Sequence, residues 1–241
     1  MNRPTAQIYA NYTAEDFSVW RTLFNRQMDI LNHEVSKQFI KALDDIRFSD
    51  EKIPDFIEVN DLLQKSTGWK VEVVPNLCPE QKFFECLAQQ SFTSTCWLRT
   101  MEQLDYLEEP DMFHDVFGHM PLLTNHNYAN FFTDFGKIAL RYIDNPLAIQ
   151  LLSRIYWYTI EFGLIEEEGS LKIYGAGIIS SNGETKHAID SGTVKQDFEI
   201  ETLLNTPYRT DVIQDKYFVV KSFEHLYATI PEIESCMIKM I

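Results

Sequence analysis

Two histidines and a glutamate, His114, His119 and Glu161, are the residues of this chain whose types and spacing indicate chemistry. Two imidazoles and one carboxylate are the ligands of the facial triad, which holds one face of a non-heme Fe(II). The opposite face of the metal then stays open for oxygen chemistry. The residue types therefore predict a mononuclear iron site.

The spacing of the two histidines restricts the local backbone. On an ideal α-helix each residue advances by about 100°, so His119 would point about 140° away from His114. We therefore expect the helix to break between them at Gly118, and we expect Pro121 to keep it from resuming. A zinc hydrolase is a weaker alternative, because its HExxH motif has a shorter spacing and a glutamate directly after the first histidine.

Glu161 lies in an apolar stretch, between Trp157 and Phe162. An ionised carboxylate in such surroundings needs a compensating cation, and a metal ion would provide one. A structural salt bridge with Arg154 is an alternative, and a non-enzymatic protein with the triad as a polar core cluster is another. Metal analysis separates these alternatives.

Two aspartates flank the first histidine. Asp111 follows Pro110 near the expected helix start, where its carboxylate either caps the first turn or orients a ligand. Asp115 is either a solvated residue or a hydrogen-bond acceptor behind the metal ligands. The sequence leaves both pairs of alternatives open.

The charge balance limits the partners of the protein. Lys and Arg number 21 against 36 Asp and Glu, so the formal charge is 21 − 36 = −15. Such a charge repels phosphate backbones and anionic membrane surfaces, so neither nucleic acid nor a membrane is expected as a partner. A small acidic substrate would need a local cation, and Arg99 is the candidate.

The cysteines and the hydropathy pattern indicate a cytoplasmic protein. The four cysteines form no CxxC pair, and the chain has no apolar signal segment and no run of residues long enough to span a membrane. We therefore expect a reduced, cytoplasmic environment.

Helical periodicity dominates the chain. Apolar residues recur at three- and four-residue intervals after Thr13, and Asn145 with Pro146 marks another helix start. Short strands are expected near 69–73, 92–98, 171–173 and 217–220, without βαβ alternation. The sequence predicts a mostly α fold in one catalytic domain, 1–241, with a flexible N-terminus over residues 1–12.

Several segments resemble the biopterin-dependent aromatic amino acid hydroxylases, in particular their bacterial, phenylalanine-hydroxylating members. The resemblance covers nearly the whole chain and is strongest in four segments: LDYLEEPD (104–111), HDVFGHMPL (114–122), IYWYTIEFGL (155–164) and YGAGIISS (174–181). Such an ordered set of motifs is highly specific for the family.

The resemblance implies a role for each site residue. His114, His119 and Glu161 would ligate Fe(II), and Arg99, held by Asp111, would pair with the substrate carboxylate. The remaining assignments are the ring pocket (Pro110, Trp157, Phe162, Gly177), support of the first histidine (Ser180) and the pterin side (Phe83, Asp115).

The resemblance also implies the reaction. L-Phenylalanine would be converted to L-tyrosine, as in phenylalanine catabolism, with O2 and tetrahydrobiopterin as co-substrates. Hydroxylation of tryptophan by the same chemistry is the nearest alternative, because pocket shape alone separates the two substrates. We expect a monomer without a regulatory domain or a tetramerisation helix.

Overall fold

The computed structural model describes residues 3–105, 107 and 109–241 of the chain. The α-helices are α1 (Ala14–Glu34), α2 (Lys37–Asp45), α3 (Phe56–Ser66), α4 (Glu80–Ala88), α5 (His126–Arg141), α6 (Pro146–Tyr156), α7 (Ala176–Ile179), α8 (Asn182–Ile189), α9 (Ile200–Asn205), α10 (Phe223–Ala228) and α11 (Ile230–Ile238). Short 3-10 helices lie at Tyr9–Asn11, Met101–Gln103 and Pro121–Thr124. Two π-helices lie at Phe113–His119 and Trp157–Glu161. The predicted mostly α fold is confirmed.

Short strands form two small sheets. The strands are β1 (Lys70–Val73), β2 (Ser91–Ser94), β3 (Gly163–Glu167), β4 (Ser170–Ile173), β5 (Val194–Asp197) and β6 (Lys216–Val220). Strands β1 and β2 pair in parallel, and a second sheet has the order β4-β3-β6-β5. In that sheet β3 and β4 are antiparallel, whereas β6 runs parallel to both β3 and β5.

The expectation of no βαβ alternation is wrong. Helix α4 connects the parallel strands β1 and β2, and α9 connects the parallel strands β5 and β6. These strands have only four or five residues each, which is too short for their two-residue period to stand out from the surrounding helical pattern.

Helix starts follow the expected capping chemistry. The Thr13 hydroxyl accepts from the backbone N–H of Asp16, whose carboxylate accepts from the Thr13 N–H, so a capping box begins α1. The Asn145 side chain caps α6, and Pro146 occupies its first turn. Pro79 is the N-cap of α4.

Aromatic packing anchors the first π-helix. The rings of Phe113 and Phe117 stack with centroids 4.8 Å apart. Trp20 of α1 meets the first ring at 5.5 Å, and Phe39 of α2 meets the second at 5.7 Å. All four side chains are buried, so one face of the π-helix is fixed against α1 and α2.

The helix does not break between the histidines, so the expectation of a break at Gly118 is wrong. The π-helix continues from Phe113 to His119, and its i→i+5 hydrogen bonds place residues five apart on neighbouring turns. Gly118 instead permits close packing, because a Cβ there would lie 3.0 Å from the Ala176 carbonyl oxygen. Pro121 begins a 3-10 helix directly after the π-helix.

The N-terminal segment contacts the body of the protein. Gln7 donates from its amide nitrogen to the Pro54 carbonyl at 2.9 Å, and the Tyr12 hydroxyl donates to the Cys96 carbonyl at 2.8 Å. Residues 3–12 are thus attached to the rest of the protein by hydrogen bonds from half-buried side chains, and the flexibility expected for residues 1–12 stays a prediction. No helix in the described ranges is long and apolar enough to cross a membrane.

Candidate active site

The three predicted metal ligands meet at one point. One ligand atom from each of His114, His119 and Glu161 lies within 4.8 Å of the other two. The Nε2 atom of His119 is 3.3 Å from Glu161 Oε1, and the Nε2 atom of His114 is 3.7 Å from Glu161 Oε2. These separations leave room for one ion that all three groups contact.

Ser180 fixes the orientation and tautomer of the first ligand. Its hydroxyl donates to the Ala176 carbonyl at 2.8 Å and lies 2.8 Å from Nδ1 of His114. A hydroxyl has one proton to donate, so Nδ1 must be the donor in the second contact. The lone pair of His114 Nε2 is then free to face the metal position, as in other histidine ligands with a hydrogen-bonded second nitrogen.

The electrostatics of the cluster suit a cation. Burial lowers the pKa of His114 to about 4, although Glu161 opposes the shift, so the imidazole is neutral at pH 7. Burial alone would raise the pKa of Glu161, but the two imidazoles hold it below its ordinary value. Arg154 donates instead to the Leu204 carbonyl, so the alternative of a structural salt bridge with Glu161 is not realised.

The second histidine is enclosed. The His119 side chain is 2% exposed, and its ring packs on Phe92 with centroids 4.7 Å apart. Its Nδ1 atom is buried without a hydrogen-bond partner among the described residues, and its Nε2 atom faces Glu161. The donor set of two imidazoles and one carboxylate in this enclosed position fits Fe(II).

A buried ion pair lies next to the metal cluster. Arg99 donates from Nε and Nη2 to the two carboxylate oxygens of Asp111, at 2.9 and 2.8 Å. Asp111 also accepts from the backbone N–H of His114 at 3.3 Å, so it both caps the helix start and holds the arginine. Among the described residues none accepts a hydrogen bond from Arg99 Nη1, which is therefore available to an anionic ligand.

Asp115 is buried and faces β2. Its Oδ2 atom accepts from the backbone N–H and the hydroxyl of Thr95, at 2.7 and 3.1 Å. Burial raises its pKa to about 7, against the lowering effect of the Thr95 N–H. Of the two alternatives left open by the sequence, Asp115 is thus a hydrogen-bond acceptor and not a solvated residue.

Aromatic rings and a glycine line the side of the cluster near Glu161. The Trp157 indole lies 4.6 Å from the Phe162 ring and stacks on Tyr208 at 4.5 Å. A Cβ at Gly177 would lie 2.8 Å from the Phe162 ring, so only glycine fits there without displacement. Pro110 is half-buried and directly precedes Asp111 in the sequence.

Phe83 approaches the cluster through a tyrosine. Its half-buried ring meets Tyr156 edge-on, with centroids 5.5 Å apart, and the Tyr156 hydroxyl contacts the Glu161 carboxylate. The sequence reasoning missed Tyr156, as well as Thr95 and Tyr208. The position of Tyr156 one residue before Trp157, in a segment already assigned to the site, was a signal that could have identified it.

Taken together, the fold and the cluster define a mononuclear non-heme metal protein of the facial-triad class, with the Arg99–Asp111 ion pair next to the first histidine. The family model described as biopterin-dependent aromatic amino acid hydroxylase matches residues 3–240. The chain belongs to this family.

Individual relatives agree with the family assignment. A phenylalanine-4-hydroxylase of Ralstonia nicotianae is 43% identical over 223 residues, which is 92% of this chain and 71% of the relative. The solved phenylalanine hydroxylase of Chromobacterium violaceum with bound oxidized Fe(III) is 38% identical, with a TM-score of 0.93, and the match covers 99% of this chain and 87% of that one.

A further structure of the same Chromobacterium enzyme holds iron(III) and the oxidized cofactor 7,8-dihydrobiopterin; it has a TM-score of 0.91 and 39% identity, with 99% and 87% coverage. The predicted resemblance to bacterial phenylalanine hydroxylases, and with it the iron and pterin of these enzymes, is confirmed.

Proposed function

We propose that this protein is a pterin-dependent monooxygenase that converts L-phenylalanine to L-tyrosine with O2 and tetrahydrobiopterin. The convergence of His114, His119 and Glu161 within 4.8 Å carries the proposal. Two neutral imidazoles and one carboxylate leave Fe(II) with a net positive charge and open coordination positions. Iron and reduced pterin, when bound, supply the reduction of O2 that inserts one oxygen atom into the ring.

The amino acid is held by charge and by shape. Arg99 binds the substrate carboxylate, and Asp111 orients the guanidinium through two hydrogen bonds. The net charge of −15 disfavours the carboxylate of the amino acid, and this local cation offsets that effect. A bidentate partner that is itself 0% exposed keeps Arg99 in one position before the substrate arrives.

The substrate ring is placed by the aromatic side of the cluster. Trp157 and Phe162 form its walls, Gly177 leaves space beside Phe162, and Pro110 contributes from the arginine side. Phe83 and Asp115 belong to the pterin side, where Phe83 offers a half-buried ring to stack on the pterin. Positioning is the main task of these residues, because the cofactors supply the oxidative chemistry.

The decisive experiment measures product. Protein loaded with Fe(II) is incubated with L-phenylalanine, O2 and tetrahydrobiopterin, and tyrosine is quantified by chromatography. Tyrosine should form, and omission of the pterin should abolish it. L-Tryptophan is tested in a parallel reaction. Faster hydroxylation of L-tryptophan than of L-phenylalanine would support the alternative substrate.

A pair of glutamate variants separates the metal site from general effects. Glu161→Ala should lose iron binding and tyrosine formation, whereas Glu166→Ala, an exposed residue on β3, should keep both. Retention of about one iron per chain by Glu161→Ala would refute the proposed ligand set.

The proposal includes a monomer in the cytoplasm. The four cysteines are all free thiols in the structure, which supports a reducing environment. Light scattering of the iron-loaded protein tests the monomer, and a dimer mass would contradict it.

A further inference from the structure

A loop outside the metal cluster contacts the Trp157 indole on two sides. Residues 206–215 connect α9 to β6, and this loop contains both Tyr208 and Gln214. The Tyr208 ring stacks on the indole with centroids 4.5 Å apart and an interplanar angle of 16°. The indole N–H donates to Gln214 Oε1 at 2.8 Å. The indole is therefore held between the loop and Phe162.

The Gln214 amide has one possible orientation. Its Nε2 donates to the carbonyls of Arg209 and Val212, both at 2.9 Å. With both amide protons used, the oxygen must face the indole. In a flipped amide the NH2 group would face the indole N–H, which is also a donor, and the oxygen would face two carbonyl oxygens. Gln214 is 5% exposed, so water does not readily replace these contacts.

A buried carboxylate holds the backbone of the same residue. Glu184 of α8 accepts from the Gln214 backbone N–H at 3.0 Å and from the Tyr217 hydroxyl at 2.5 Å. Both Glu184 and Tyr217 are buried. The Tyr158 hydroxyl, on the second π-helix, donates to the Pro207 carbonyl at 2.8 Å and ties the start of the loop to the helix that carries Glu161.

We propose that Gln214 is a positioning residue that, with Tyr208, sets the place of the Trp157 wall and thereby the selectivity of the site among aromatic amino acids. This inference rests on the proposed function, since it assigns Trp157 to the substrate-ring pocket. The hydrogen bond fixes the edge of the indole and the stacked ring fixes its face. With the indole fixed at two points, the width of the pocket is fixed as well. Pocket width determines whether a phenyl ring or an indole fits.

The test replaces the amide without changing the length of the side chain. Gln214→Met removes the acceptor for the indole N–H and both donors to the loop carbonyls. The KM for L-phenylalanine should rise roughly 3–10-fold, the factor that corresponds to the loss of the one hydrogen bond that holds the Trp157 indole. The preference for L-phenylalanine over L-tryptophan, as a ratio of kcat/KM, should fall by a similar factor. The KM for the pterin and the kcat should change less than twofold.

Gln7→Met is the matched control. Gln7 also has a part-buried amide with three hydrogen bonds, to Pro54, Tyr12 and Phe56, but it lies in the N-terminal segment away from Trp157. The Gln7→Met variant should have a lower unfolding midpoint than the wild type and an unchanged preference for L-phenylalanine over L-tryptophan. An equal loss of preference in both variants would show general loosening and overturn the inference.

A double-mutant cycle tests the contact itself, on protein without metal. Gln214→Met and Trp157→Phe should have less than additive effects on the free energy of unfolding, because each removes the same hydrogen bond. Additive effects would overturn the inference. If Gln214→Met does not fold, Tyr208→Leu replaces it, with the same expected changes in KM and preference.

Failure of this inference is distinguishable from failure of the proposed function. A wild-type protein that makes no tyrosine would refute the function. A wild-type protein that makes tyrosine, together with a Gln214→Met variant whose KM and preference stay within twofold, would refute only the role of the loop.

Discussion

Removal of the Ser180 hydroxyl should weaken metal binding without unfolding the protein. The hydroxyl accepts from His114 Nδ1 at 2.8 Å while its own proton goes to the Ala176 carbonyl. In Ser180→Ala the imidazole loses the group that fixes its tautomer, so part of the population presents a protonated Nε2 to the metal. Loss of such an outer hydrogen bond typically costs roughly 10–100-fold in metal affinity.

The magnitude should lie toward the lower part of that range. Ser180 is half-buried and the His114 side chain is 20% exposed, so water can reach the freed Nδ1–H and replace part of the lost hydrogen bond. We expect about a tenfold loss, which corresponds to about 1.4 kcal/mol. Ser180→Thr keeps the hydroxyl and should recover most of the affinity.

The assay is a titration of the metal-free protein with Co(II) or anaerobic Fe(II), followed by calorimetry. Ser66→Ala is the control, because its hydroxyl donates to the Thr124 carbonyl at 3.2 Å, away from the cluster. The control should bind metal like the wild type. An affinity of Ser180→Ala within twofold of the wild type, or an equal loss in Ser66→Ala, would refute the tautomer argument.

Three further substitutions have defined outcomes. Gly177→Ala should destabilise the protein by about 1–3 kcal/mol in denaturant unfolding, because the new Cβ would lie 2.8 Å from the Phe162 ring. Arg99→Lys should raise the KM for L-phenylalanine about tenfold or more in steady-state assays, with little change in the pterin KM, because an ammonium cannot make the bidentate pair with Asp111 and still bind a carboxylate in the same geometry. Asp115→Asn should gain stability relative to the wild type as the pH rises from about 4 to 7 in metal-free protein. The sign follows because burial raises the folded-state pKa of Asp115 to about 7, so the folded protein keeps this carboxyl protonated over that range while the unfolded chain ionises it and is thereby favoured. A pH-independent difference between the two proteins would contradict this.

The sequence predicted that His114, His119 and Glu161 come together, but not the backbone that aligns them. Residue type and the apolar surroundings of Glu161 were sufficient to select it with His114 and His119. The expected helix break at Gly118 was wrong because helical periodicity assumes i→i+4 hydrogen bonds, and the i→i+5 pattern has no distinct sequence signal. The five-residue spacing that looked unfavourable on an α-helix is suited to a π-helix.

The loop that contacts Trp157 shows a different limit of prediction from sequence. Gln214 and Tyr208 lie in a segment without periodicity, and their contact with Trp157 depends on the pairing of β6 with β3, which brings distant parts of the chain together. The pairing of Arg99 with Asp111 was predicted only through the family resemblance, since a spacing of twelve residues does not by itself predict an ion pair. Tertiary pairing of this kind is not visible in local patterns.

The short helix α7 connects all parts of the metal cluster, and this explains the small residues of its sequence. A Cβ at Gly175 would lie 2.4 Å from the Glu161 carbonyl oxygen, and the first π-helix packs on Ala176 through Gly118. Ser180, directly after α7, holds the first histidine. A π-helix has weaker intrinsic support than an α-helix, so its geometry must be imposed by its surroundings. Aromatic packing imposes it from one side of the first π-helix and α7 from the other, so larger side chains in α7 should separate the ligands before they unfold the protein.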